Sequence, residues 1–328
     1  MRLAFALTAL LALTMTATWL LAPSMLTAHG DMRAPRSEIH SAVLDGAIYT
    51  AGGIGFYRTL DSCERFVVAE RAWQSCADLP RALHHVALAS NRGTSKGVVA
   101  GGGLVFASGG YRALPFSIDP DGALFSLAPE AEMWTRVAAL PHPLGQHSMH
   151  HHDGALWLVG GEDGTATLAS VWRYELTSGD WAQMQPMTRA RHSHASATGG
   201  GKLYVTGGRS DVFGMQSASV ERYDFAQDSW TDLPDMPVAL AGHAAAVLNG
   251  RLHVYGGENL AEGTVFAAHY ILDLGTLQWT RGLDLPHARH GFAAAVAAGQ
   301  LWALGGGRKH GMWTPLTVSG TAQSIPVE

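Results

Sequence analysis

Six adjacent glycine pairs punctuate the chain, at 52–53, 109–110, 160–161, 207–208, 256–257 and 305–306. Their second members lie 47 to 57 residues apart. Self-similarity at that period marks a repeat architecture, in which a single unit cannot bury its own hydrophobic face and stability comes from stacking neighbours. Five of the pairs are followed 20 to 24 residues later by a tryptophan: Trp73, Trp134, Trp181, Trp230 and Trp279. The clearest unit runs from Met187 to Pro234. Arg191-His192 opens it, Gly199 to Gly201 forms a small-residue turn, an apolar run leads into Gly207-Gly208, and Tyr223-Asp224 and Trp230 follow. Short apolar runs separated by turn residues read as strands, and each unit has room for four. Asp45-Gly46 and Asn249-Gly250 carry the signature of tight hairpin turns between the first two strands of their units.

This order of residues resembles the kelch repeat, whose units are antiparallel blades set in a ring. The resemblance covers roughly residues 36 to 328 and implies an all-β fold, a six-bladed β-propeller with four antiparallel strands per blade. The 39 glycines, 10 tryptophans and 15% charged residues suit many short strands joined by tight turns. The expected division is an N-terminal signal or anchor over 1–28, a linker over 29–35 and the propeller over 36–328. Blade two carries a glycine-rich insertion, Asn91 to Gly103, between its first and second strands. Blade six lacks the tryptophan. Its third strand is expected at Pro315 to Val318 and its fourth at Gln323 to Val327, so that the C-terminal tail, rather than a segment near Ser24 to Ala28, closes the ring.

A formal charge of -5 without a basic run gives no electrostatic footprint for nucleic acid. Arg2 followed by the apolar stretch Leu3 to Ala22 reads as an export signal, and the stretch is also long enough to span a bilayer. Either way the propeller is expected outside the cytoplasm, periplasmic or secreted, or tethered to a membrane if the segment is retained. Cys63 and Cys76, the only cysteines, fall in the third and fourth strand regions of blade one. An intrablade disulfide is expected there, in a compartment that permits it.

Strand direction brings the residues that open each first strand and those that follow each glycine pair to one end of the ring. Strand openings supply His40, His85, His147, His192, His194, His243 and His290; the post-glycine segments supply Arg58, Arg112, Glu162, Arg209, Glu258, Arg308 and Lys309. From these, His40, His147, His194, His243, His290, Arg209 and Arg112 are the candidate ligand-binding set. Guanidinium groups grip carboxylates or phosphates bidentately, and neutral imidazole binds metals and titrates near neutrality. Glu162 and Glu258 are the candidate general bases. His150-His151-His152 sits at the turn end of blade three, away from this rim. Arg36, Arg81, Arg191 and Arg289 recur in the repeat itself, which favours a scaffold role between blades.

The Gly160-Gly161-Glu162 and Gly256-Gly257-Glu258 segments are similar to glutamate-bearing loops of exported bacterial kelch proteins that act as sialic acid epimerases or mutarotases. Galactose oxidase also has a kelch propeller, but Cys63 and Cys76 show no setting for its copper site. A kelch ring most often serves as a binding platform, so the primary expectation is an exported monomeric module that binds a protein or glycan ligand and needs no cofactor. A sugar-acid epimerase or mutarotase using a rim glutamate is the alternative, and metal binding through channel-mouth histidines the third.

Overall fold

The computed structural model describes residues 28–91, 102–112, 119–210 and 215–325. The expected signal segment therefore lies outside the described residues, as do 92–101 of the blade-two insertion and the tail beyond 325. Six four-stranded antiparallel sheets form the blades of the propeller. Blade four shows the common plan: Ala195–Gly199, Lys202–Thr206, Val220–Asp224 and Ser229–Leu233 pair in sequence order from the ring's axis outwards. The second strands are buried almost throughout, as in Ala155–Val159 of blade three, because sheets flank them on both faces. Hydrophobic clusters accordingly bridge neighbouring blades, for example Tyr49 and Leu44 of blade one with Leu88, Val105 and Phe125 of blade two.

Blade six departs from the sequence expectation. Residues 311–316 form a short 3-10 helix, so the third strand begins only at Thr321 and runs to Ile325. The outermost place is taken by Ala28–Asp31 from the other end of the chain, pairing Ala28 with Gln323 and Asp31 with Thr321. The ring is closed by an N-terminal strand and not by the C-terminal tail, and part of the segment expected as linker is structural. Closure of this kind covers the edge that Thr321–Ile325 would otherwise leave open.

The glycine pairs exist because the blades approach there. At Gly109 φ is +59°, and a Cβ would lie 2.2 Å from the Leu144 carbonyl and 2.7 Å from the His147 ring, both of the next blade. Gly207 repeats this against Leu240 and His243. Cys63 and Cys76 stand directly opposite one another on adjacent strands and are joined by a disulfide, with Cα atoms 5.0 Å apart.

Candidate functional site

All six glycine pairs deliver the following residue to the opening of the first strand of the same blade. The bridges Ser37–Ile54, His84–Tyr111, Gly145–Glu162, His192–Arg209, Ala241–Glu258 and His290–Gly307 recur in every repeat. One end of the ring, its mouth, therefore collects both sets of residues, as strand direction requires.

The candidate histidines separate into two groups. His147, His194 and His243 do not line the mouth with their rings. They turn into the seams between blades, where each Nε2 meets a hydroxyl of the preceding blade: Ser108 at 2.8 Å, Ser148 at 3.0 Å and Thr206 at 2.7 Å. Burial holds all three imidazoles neutral, pulling His147 and His243 down to about 3 and His194 well below its ordinary value. Ile39, Val86 and Phe292 fill the same position in the other blades, so the site is a packing position that strand alternation aims away from the axis. His40 lies inside the channel, below the mouth. Of the proposed set, His290 remains at the rim.

The repeated arginines are scaffold, but their guanidinium groups tie the entry of the first strand to its own blade and not, as expected from the sequence, blade to blade. Arg36, Arg191 and Arg289 are buried and donate to the carbonyl of the first glycine of their own pair, Gly52, Gly207 and Gly305, at 2.9, 2.6 and 3.0 Å. The other end of each guanidinium reaches a third-strand side chain, Glu64, Glu221 or Gln323. Arg81 stands apart: half-exposed, it bonds the buried Asp121 at 2.8 Å. Arg112, placed in the ligand set on sequence, is held by the same Asp121 at 3.0 Å.

What the mouth does present is a continuous polar cradle. Glu38 bonds His85 at 2.9 Å and lies 3.5 Å from His290. His85 packs edge-on against Tyr111, whose hydroxyl donates to Glu162. Gln146 donates to the same Oε1 of Glu162 at 3.3 Å and accepts from Ser193. Arg209 grips Glu258 at 2.5 Å, and Glu258 reaches the Gly311 N–H at 3.1 Å and His290 at 3.5 Å. The chain of contacts runs through all six blades. Burial pushes the Glu38 carboxyl up, but His85, His290 and Arg209 outweigh it and hold the group well below the usual carboxylate range. Tyr111 is held protonated by burial and by the charge of Glu162. Around this cradle stand exposed apolar side chains on the mouth loops, Phe56, Tyr57 and Met215.

Sequence reasoning found Glu162, Arg209, Glu258 and His290 but passed over Glu38, Tyr111 and Gln146. A signal was present: Tyr111 follows its glycine pair in the same register as Glu162, Arg209 and Glu258, and strict counting selects it over Arg112. Among the described residues no group of three or more histidine, cysteine or carboxylate side chains is placed to hold a metal ion.

The Kelch motif model matches residues 35–80, 143–188 and 190–237, which are blades one, three and four. Kelch-like protein 26 of Danio rerio is 27% identical over 186 residues, 54% of this chain and 28% of that protein. Kelch-like protein 35 of Homo sapiens is 43% identical over 75 residues, 23% of this chain and 13% of that protein. The aligned stretches thus span well under a third of these relatives' length. A solved structure of YjhT superposes with a TM-score of 0.73 at 14% identity, covering 91% of this chain and 97% of that one, a likeness of fold.

Proposed function

From the premise that the chain is a kelch-repeat β-propeller, we propose that it is an exported binding module whose mouth face holds a protein or glycan ligand. The observation that carries the reading is the cradle itself: buried carboxylates, imidazoles, a tyrosine and an arginine from every blade converge on one concave end, rimmed by exposed aromatic and methionine side chains. Polar groups that fix orientation beside apolar anchors that exclude water are the composition of a recognition surface. The opposite end offers tight hairpins such as Asp45-Gly46 and Asn249-Gly250. Export is supported by the apolar run Leu3 to Ala22 and by the Cys63–Cys76 disulfide. A cut after Ala22 spares the closing strand, whereas one after Ala28 removes its first residue.

The test is selection from a peptide-display library and a glycan array, followed by affinity measurement on variants. Tyr57→Ala and Arg209→Ala should each weaken the selected ligand at least about tenfold, an ordinary loss for an interface anchor, while Asp45→Ala leaves it unchanged. A footprint centred on Asp45, Asp153 and Asn249 would place recognition on the other face and end the proposal.

One observation favours an enzymatic variant of the same site. Tyr111 and Gln146 both bond Oε1 of Glu162, which orients the buried carboxylate and leaves Oε2 for a ligand proton. A sugar acid gripped at Arg209 would meet that base. Turnover of such a substrate, lost in Glu162→Gln while the ring stays folded, is the signature of this reading.

A further inference from the structure

Beneath the cradle lies a separate space. The six inner strands enclose a channel of about 470 Å³. At its upper end stand six equivalent residues, Glu38, His85, Gln146, Ser193, Gly242 and Gly291, all with left-handed φ between 50° and 58°. Backbone hydrogen bonds join five of the six steps between blades: His85 N–H to Glu38 O at 3.0 Å, Ser193 to Gln146 at 3.3 Å, Gly242 to Ser193 at 2.9 Å, Gly291 to Gly242 at 2.8 Å and, next to Glu38, Ile39 to Gly291 at 3.3 Å. Hydrogen-bonded strands sit about 4.8 Å apart, so a hexagon of that side keeps the chain roughly 5 Å from the axis. Once the thickness of the backbone is removed, this collar passes water or a small ion and stops a sugar-sized molecule. Tyr111, Glu162, Arg209 and Glu258 stand above it and do not line the channel. Below it the walls descend to one residue from each blade, Val43, Ser90, His151, Thr198, Val247 and Val296, at the turn ends.

We propose that the channel is a second binding site, entered from the turn face, for an uncharged polyhydroxylated ring of monosaccharide size. Its volume falls within the range of small-molecule pockets, about 300–1,000 Å³. Alanines of the inner strands, among them Ala42, Ala89, Ala197 and Ala246, line it and offer an apolar wall to the C–H face of such a ring. His40 and His150 also line it, and burial pulls both down to about 4. Each is therefore a neutral imidazole with a donor and an acceptor nitrogen, of which Nε2 of His150 is engaged by Ser196 Oγ at 2.7 Å. Ser41 and Ser90 give their protons to carbonyls of neighbouring blades, Ala294 at 2.5 Å and Val43 at 2.6 Å, which leaves their lone pairs for ligand hydroxyls. Among the described residues, no carboxylate, lysine or arginine lines the wall below the collar. A charged ligand would lose its hydration there without a counter-charge, which selects for an uncharged one.

This site is independent of the mouth reading and can be tested apart from it. The intact protein is titrated with D-glucose, myo-inositol and N-acetylglucosamine as uncharged probes and with gluconate as the anionic one, following the histidine ring signals by NMR. At least one uncharged probe should saturate at millimolar concentration and shift His40 and His150, and gluconate should not. Thr198→Trp, a change at the exposed entrance that leaves the core untouched, should weaken that binding at least tenfold, as should His40→Ala, while Arg209→Ala leaves it unaltered. Failure of all three uncharged probes to saturate overturns the proposal. So does binding that survives Thr198→Trp or moves to the residues around Glu162.

Discussion

Replacing Arg191 by leucine tests the interpretation of the repeated arginines. The guanidinium donates to the Gly207 carbonyl at 2.6 Å, to the Ser219 hydroxyl at 2.8 Å and to Glu221 at 2.5 Å, with both partners of the ion pair buried. Its removal strands the Glu221 carboxylate, which keeps the Thr188 N–H at 2.8 Å and a distant, half-exposed Arg189 at 3.7 Å. Breaking a buried pair by deleting one partner costs about 3–5 kcal/mol, a large part of the 5–15 kcal/mol that holds an ordinary domain together. The chain also contains the alternative. At the position of Arg191, blades two and three carry Leu83 and Leu144, and opposite them, where blade four has Glu221, stand Phe125 and Trp172, packed in the same clusters. Blades one and six follow the polar solution with Arg36–Glu64 and Arg289–Gln323. The double variant Arg191→Leu with Glu221→Phe should therefore cost clearly less than the two single changes summed, with a coupling energy of about 2–3 kcal/mol. Urea unfolding at constant m-value measures it. If the single substitution costs under about 1 kcal/mol, or the two costs simply add, the pair is not an organising contact of blade four.

Acid should destabilise the ring through the seam histidines. His147, His194 and His243 have depressed folded values, about 3 for the first and last, against about 6.5 in the unfolded chain. Their contribution is complete above pH 6.5 and lost as pH falls from there towards 3, by about 1.4 kcal/mol per pH unit for each ring. His243→Phe, which copies the native Phe292 of blade six, should remove one ring's share of that slope in stability measured from pH 7 to 4; an unchanged slope would contradict the assignment. Among the tryptophans, which the repeat sets at blade seams, Trp134 is buried and bonds Ala77 O at 2.7 Å, whereas Trp230 is half-exposed and bonds Gln185 O at 2.9 Å. Trp134→Ala should cost about 3–5 kcal/mol and Trp230→Ala less, about 2–3, with the reverse order in thermal melts counting against the seam geometry.

The ring was legible because its punctuation is local chemistry. A glycine pair is demanded wherever one blade's backbone meets the next blade's carbonyl, as at Gly109 against Leu144, and a hairpin dipeptide wherever two strands reverse. Those signals recur with the repeat, so counting them counts blades. Closure was not legible for the complementary reason. The outer strand of blade six joins Ala28–Asp31 to Thr321–Ile325, and a pairing between the two extremities of the chain leaves no spacing to count. The four residues Ala-His-Gly-Asp carry no strand pattern of their own; they are extended because an edge is waiting for them.

The site divides along the same line. Topology alone brought Glu162, Arg209 and Glu258 to one end, and the bridges to Gly145, His192 and Ala241 put them there. Side-chain direction was harder, since a histidine at a strand opening faces the axis or the seam according to a one-residue step. His85 and His147 differ by that step: His85 stands at the collar against Glu38, and His147 lies one position further in, against Ser108. The repeat is kept for packing at the seam position, where His, Ile, Val and Phe all fit between blades. It is released at the collar, where Glu, His, Gln, Ser and two glycines follow one another round a single backbone conformation. Individuality in a ring of near-identical units therefore concentrates at the positions that packing leaves free. Here those positions form the collar at the mouth of the channel.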